Sequence, residues 1–233
     1  MDLRRRRART VPPKDRGWRT IAAVGVGVGA SLGWAVLALA LAGTGHAEDT
    51  HAAAVSQKDV HAKMQYCEVC HGPSARGFVG YYPVPRLAGQ QVAYLENQLK
   101  GFSERKRANN IMFNVGHVLS PAMMTALATG FHELNPPPLR DAPIELAAEG
   151  KKIFTEGVPA ADVPPCAGCH GEDAKGNDQF PRLAGQIYPY VVKQLTDWTK
   201  ERHEEASEIM QPIAHSLTPA QIKAVAAYVN SLE

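Results

Sequence analysis

The chain has 233 residues, 45% apolar and 21% charged, with 25 Lys and Arg against 23 Asp and Glu for a formal net charge of +2. This is globular composition and excludes a wholly disordered or collagen-like chain. Its four cysteines are too few for a disulfide scaffold of this length.

The small net charge averages two unlike regions. Residues 1–47 hold eight basic residues against Asp2 and Asp15, a net +6, so the rest of the chain is −4. Behind the basic stretch an uncharged, Gly- and Ala-rich run extends from Ile21 to Ala42, and small residues lead on to Gly45-His46-Ala47. This is the order of a secretory signal, with cleavage after Ala47 or Ala42. The run also matches the roughly 20 residues that span a bilayer, so an uncleaved membrane anchor is the alternative. Either reading puts the remainder outside the cytoplasm, periplasmic and either soluble or tethered to the inner membrane. A nucleic-acid partner for the arginine run is therefore not expected.

Further along, Gln57–Gln65 reads as a weakly patterned helix leading into Cys67-Glu68-Val69-Cys70-His71-Gly72. After Pro85-Arg86-Leu87-Ala88-Gly89-Gln90, the residues Val92, Leu95, Leu99 and Phe102 recur at helical spacing. Ser120-Pro121 then supplies an N-cap and a first-turn proline for a helix carrying Met124, Leu127 and Phe131. Three prolines, Pro136 to Pro138, stop that helix and favour an extended spacer. The pattern resumes with a helix over Ile144–Phe154, then Cys166-Ala167-Gly168-Cys169-His170-Gly171. Pro181 to Gln186 repeat the earlier hexapeptide letter for letter, and Val191, Leu195 and Trp198 repeat its helix. Thr218-Pro219 opens a last helix bearing Ile222, Val225, Tyr228 and Val229. No strand of period two is expected, so the fold class is all-α. The duplication divides the chain into a leader at 1–47 and two domains, 48–140 and 141–233. Each domain is small for a self-sufficient core, and a large buried cofactor would help it fold.

Cys-x-x-Cys-His is the attachment pattern of c-type haem. Two thiols about one helical turn apart add to the two vinyl groups of one porphyrin edge, and the following histidine is held over the ring to bind iron. A thioredoxin-type pair would want a βαβ context. A shared zinc site, or plain disulfides, would not explain why each run has its own copy of the same downstream sequence. Two covalently bound haems are expected, on Cys67 and Cys70 with His71, and on Cys166 and Cys169 with His170. A pure electron carrier also needs a sixth iron ligand. Met112 and Met210 occupy equivalent repeat positions, 41 and 40 residues after the histidines, and Met/His ligation raises the potential. His117 and His215 are also equivalent and offer bis-histidine iron instead. His46, His51, His61, His132 and His203 lack equivalents and read as solvated.

In these motifs the chain resembles the dihaem cytochrome c4 family, over residues 55–233. The resemblance implies two tandem class I cytochrome c domains with Met112 and Met210 as axial ligands. It also implies that the carbonyls of Pro85 and Pro181 accept the Nδ1 protons of His71 and His170. The first half departs from the second by three extra residues before Pro85, and it carries Phe78, Tyr81 and Tyr82 there. Tyr228 has Gly130 as its repeat partner, which leaves the contact between the terminal helices of the first half unassigned.

The expected function is single-electron transfer, with no substrate chemistry. The donor would be a quinol-oxidising complex or dehydrogenase, and the acceptor a terminal oxidase or reductase. The rivals are a cytochrome subunit of a flavoprotein sulfide dehydrogenase or an alcohol dehydrogenase, and a dihaem peroxidase or thiosulfate-oxidising enzyme. The halves differ in charge, +1 for 48–141 and −5 for 142–233. Arg105-Lys106-Arg107 and the cluster of Glu201, Glu204, Glu205 and Glu208 read as solvated faces or as docking patches of opposite sign.

Overall fold

A computed structural model of the chain describes residues 55–198 and 204–233, with side chains from 208 onward in the second stretch. Residues 1–47, His51, Glu201 and His203 lie outside the described residues, as do the side chains of Glu204 and Glu205. The described residues all belong to one compact unit.

Helix α1 (Gln57–His71) starts at Ser56, whose hydroxyl accepts from the Asp59 N–H, and runs without a break through the first Cys-x-x-Cys-His. Next come α2 (Val92–Ser103), α3 (Asn110–Gly116) and α4 (Pro121–His132). Ser120 caps α4 by accepting from Met123 N–H, as its sequence predicts. In the second half the entry is built differently. A 3-10 turn over Ile144–Leu146 leads into α5 (Ala147–Glu156), which ends at Gly157; a loop then reaches the short α6 (Ala167–His170). Helices α7 (Tyr188–Asp197), α8 (Glu204–Ser216) and α9 (Pro219–Ser231) complete the half. Thr218 and Gln221 form a reciprocal capping box at the start of α9. Among the described residues the only β pairing is isolated bridges, Phe78 with Val84, Val158 with Val163, and Asn177 with Phe180. The all-α expectation holds.

Among the described residues, most buried apolar side chains fall into two clusters, one per half. Val60, Leu95, Leu127 and Phe131 centre the first; Phe154, Val191, Ile222 and Val229 centre the second. The contact left open by the sequence is made: α1 packs on α4, with Met64 against Gly130. In the second half α5 packs on α9, and Phe154 meets Tyr228 with ring centroids 5.4 Å apart. The close approach there depends on Gly150, where an added Cβ would overlap the Ala224 carbonyl.

Candidate functional site

Each Cys-x-x-Cys-His helix ends on a glycine, Gly72 at φ +78° and Gly171 at φ +81°. That backbone turn lets the chain fold back under the histidine it has just presented. The return is pinned by Gly77 N–H donating to the His71 carbonyl at 2.7 Å and Gly176 N–H to the His170 carbonyl at 2.8 Å. Leu87 and Leu183 then donate their N–H groups to Ala75 and Ala174, both fully buried. The result sets a proline carbonyl against each imidazole. His71 Nδ1 donates to Pro85 O at 2.8 Å, and His170 Nδ1 to Pro181 O at 3.0 Å. Both histidines are 7% exposed. Burial lowers their pKa, with the carbonyl bond opposing, so each ring is neutral. With Nδ1 protonated and engaged, Nε2 carries the free lone pair, as an iron ligand requires.

The cysteines complete a donor set that fits a c-type haem. Cys67 and Cys166 are half-buried against the core of their own half, while Cys70 and Cys169 are exposed. Burial raises Cys67 and Cys166 to about 11. Such thiols are poor thiolates, which disfavours a thioredoxin-type redox pair. Phe180 lies edge-on to His170 at 6.4 Å between centroids, giving that imidazole an apolar border.

Met112 lies half-buried on α3 and Met210 half-buried on α8. These helices pack on α2 and α7, the helices that follow the proline motifs. Their bis-histidine rivals are placed otherwise. His117 is exposed, stacks on Phe113 and donates Nδ1–H to its carbonyl at 2.9 Å, and His215 is also exposed. His132 is exposed at its surface but tethered, since its Nδ1–H donates to the Gln90 carbonyl at 2.9 Å. Asn230 makes the matching bond to the Gln186 carbonyl. The two positions are therefore equivalent in space despite their different chemistry.

The sequence reading missed the junction between the halves. Gln90 and Gln186 are buried, and each places its side-chain amide on the backbone of Arg182 or Arg86 in the opposite half. Arg86 donates to Ala88 O and Pro136 O, and Arg182 donates to Ala184 O. Burial, reinforced by the charges of Arg182 and Arg76, lowers Arg86 to about 10. Arg107 reaches across to Tyr190 and Gln194 while also holding Gln98. This corrects the reading of 105–107 as one basic face. Arg107 is an internal clamp, Arg105 lies over the Phe113 ring, and Lys106 pairs with Glu104 at 3.1 Å. The available signal was excess identity: the histidine–proline contact does not need Gln90/Gln186, Tyr94/Tyr190 or Gln98/Gln194, yet all are repeated.

The Cytochrome c family model matches residues 147–233. The chain is 42% identical to cytochrome c-552 of Acidithiobacillus ferridurans, covering 77% of this chain and 80% of that one. It is 36% identical to a thiosulfate dehydrogenase electron acceptor of Thiomonas intermedia, over 70% and 76% of the two chains. Among solved structures it matches the cytochrome c4 of Acidithiobacillus ferrooxidans with a TM-score of 0.64 and 41% identity, covering 72% of this chain and 99% of that one.

Proposed function

The chain belongs to the cytochrome c4 family, and on that premise we propose that this dihaem electron carrier shuttles single electrons through the periplasm. The donor is a quinol-oxidising complex or a dehydrogenase, and the acceptor a terminal oxidase or reductase. Residues 48–140 and 141–233 each hold one haem, and residues 1–47 are the export signal or membrane tether. The observation carrying this reading is the duplicated contact of a buried, neutral histidine with a proline carbonyl, directly after a cysteine pair.

Bound haem supplies the one-electron redox centre. The protein's residues do the rest. Cys67, Cys70, Cys166 and Cys169 fix the porphyrin covalently. His71 and His170 present Nε2 to iron, in a tautomer set by Pro85 and Pro181. Met112 and Met210 would supply thioether ligands to the iron and so leave no open position for exogenous ligands. The apolar clusters would keep water away from the bound group.

A second reading is an obligate cytochrome partner of a dehydrogenase, favoured by the 36% identity to a thiosulfate dehydrogenase electron acceptor. Turnover with native membranes and purified protein distinguishes the two. A free shuttle is reduced with quinol as donor and oxidised by the membranes. Reduction by thiosulfate with its dehydrogenase alone, or co-purification as a stable complex, would favour the second reading. Failure to exchange electrons in any of these assays would overturn both.

A further inference from the structure

Gln90 and Gln186 are the last letters of the repeated hexapeptide, and each is almost fully buried, at 5% and 6% exposure. Arg86 N–H donates to Gln186 Oε1 at 2.8 Å, and Gln186 Nε2–H donates back to Arg86 O at 3.0 Å. Across the pseudo-two-fold, Arg182 N–H donates to Gln90 Oε1 at 2.6 Å, and Gln90 Nε2–H to Arg182 O at 3.0 Å. The N–H of Arg86 and the C=O of Pro85 belong to one peptide group. That same carbonyl accepts from His71. An unbroken path therefore runs from His71 Nδ1–H through the 85–86 peptide to the amide of Gln186, which belongs to the other half. The mirror path joins His170 through the 181–182 peptide to Gln90.

We propose that these glutamines are crossed positioning residues: Gln186 sets the reduction potential of the haem on His71, and Gln90 that of the haem on His170. The physical basis is amide resonance. A peptide whose N–H donates a hydrogen bond carries more negative charge on its oxygen and becomes a stronger acceptor. A stronger acceptor on Nδ1–H makes the imidazole a better donor to iron, which favours the ferric state and lowers the potential. The glutamines are also held in place. Each Oε1 accepts from the next backbone N–H of its own chain segment, Gln91 or Ile187, and each backbone carbonyl is fixed by His132 or Asn230. Little freedom remains to be lost in making the crossed bonds.

The inference rests on the assignment of His71 and His170 as iron ligands. The test uses the intact dihaem protein with Gln186→Met and Gln90→Met, and haem methyl NMR signals, assigned to each half, followed through a redox titration. Gln186→Met is expected to favour reduction of the His71 haem by up to about tenfold, or about 59 mV for a one-electron couple. The His170 haem should move several-fold less, and Gln90→Met should give the opposite pattern. A shift confined to the variant's own half, equal shifts at both haems, or no shift would overturn the proposal. If a methionine variant fails to accumulate with two haems, Gln186→Glu and Gln90→Glu replace it. These keep the acceptor oxygen and should lower the potential of the crossed haem most; uniform or same-half lowering would overturn the proposal. Failure of the ligand assignment shows separately, as absence of hyperfine-shifted His71 or His170 ring signals in the wild-type ferric protein.

Discussion

The two halves reach one local geometry by different routes. In the first, a single 15-residue helix carries the cysteines and histidine. In the second, the helix stops at Gly157, a proline-containing loop intervenes, and a four-residue helix presents the same atoms. The return loop is longer in the first half, and its extra residues are pushed outward, leaving Tyr81 fully exposed. Yet the histidine–carbonyl distances differ by only 0.2 Å. The site is thus set by the glycine turn and the proline hexapeptide; the helix leading into it is a replaceable support.

That comparison can be broken most severely at the cysteines. Replacing Cys67 and Cys70 with Ala, or Cys166 and Cys169, should reduce covalent haem from two per chain to one, measured by haem-specific absorbance of the denatured protein. Circular dichroism should show the greater loss of helix for the first pair, because the second half keeps the α5–α9 contact with Phe154 fully buried.

The closest helix approaches should respond unequally. Gly150→Ala forces a Cβ into the Ala224 backbone and should destabilise by about 1–3 kcal/mol in denaturant titrations. Gly130→Ala meets only the Met64 side chain, 2.7 Å away at the sulfur. The helix-propensity gain of about 1 kcal/mol should offset the displacement of that flexible group and leave stability nearly unchanged. Equal losses in the two variants would mean that the halves pack alike.

A smaller effect belongs to the junction. Burial, opposed by Arg107, raises the Tyr94 phenol to about 12, above the ordinary value of roughly 10. The folded protein therefore holds this proton more tightly than the unfolded chain. The stabilisation is complete below pH 10 and lost as pH rises toward 12. Unfolding midpoints across that range should fall more steeply for wild type than for Tyr94→Phe. The smallest difference is expected at the caps. Thr218→Ala and Ser120→Ala should each cost about 1 kcal/mol, with Thr218 the costlier because it also loses the reciprocal bond to Gln221.

Much of this was legible in the sequence because haem attachment demands fixed spacing. The cysteines, histidines, capping residues and helix faces follow from short-range rules, and the repeat supplies an internal control. The junction was not legible, because bonds from Gln90 to Arg182 and from Gln186 to Arg86 span about a hundred residues and leave no periodic trace. Arg107 shows the same limit. Beside Arg105 and Lys106 it looks like part of a charged face, and only tertiary packing turns it inward. The length of α1 was also underestimated, because Cys-x-x-Cys-His has little amphipathic pattern to extend a helix.

In the proposed carrier Met112 and Met210 close both irons, so that electrons pass without a substrate being bound. Carbon monoxide added to the fully reduced native protein tests this most directly. The account predicts no prompt change in the visible spectrum of wild type, and binding at a single haem in either Met112→Ala or Met210→Ala. Prompt binding to one haem of the wild-type protein would contradict it.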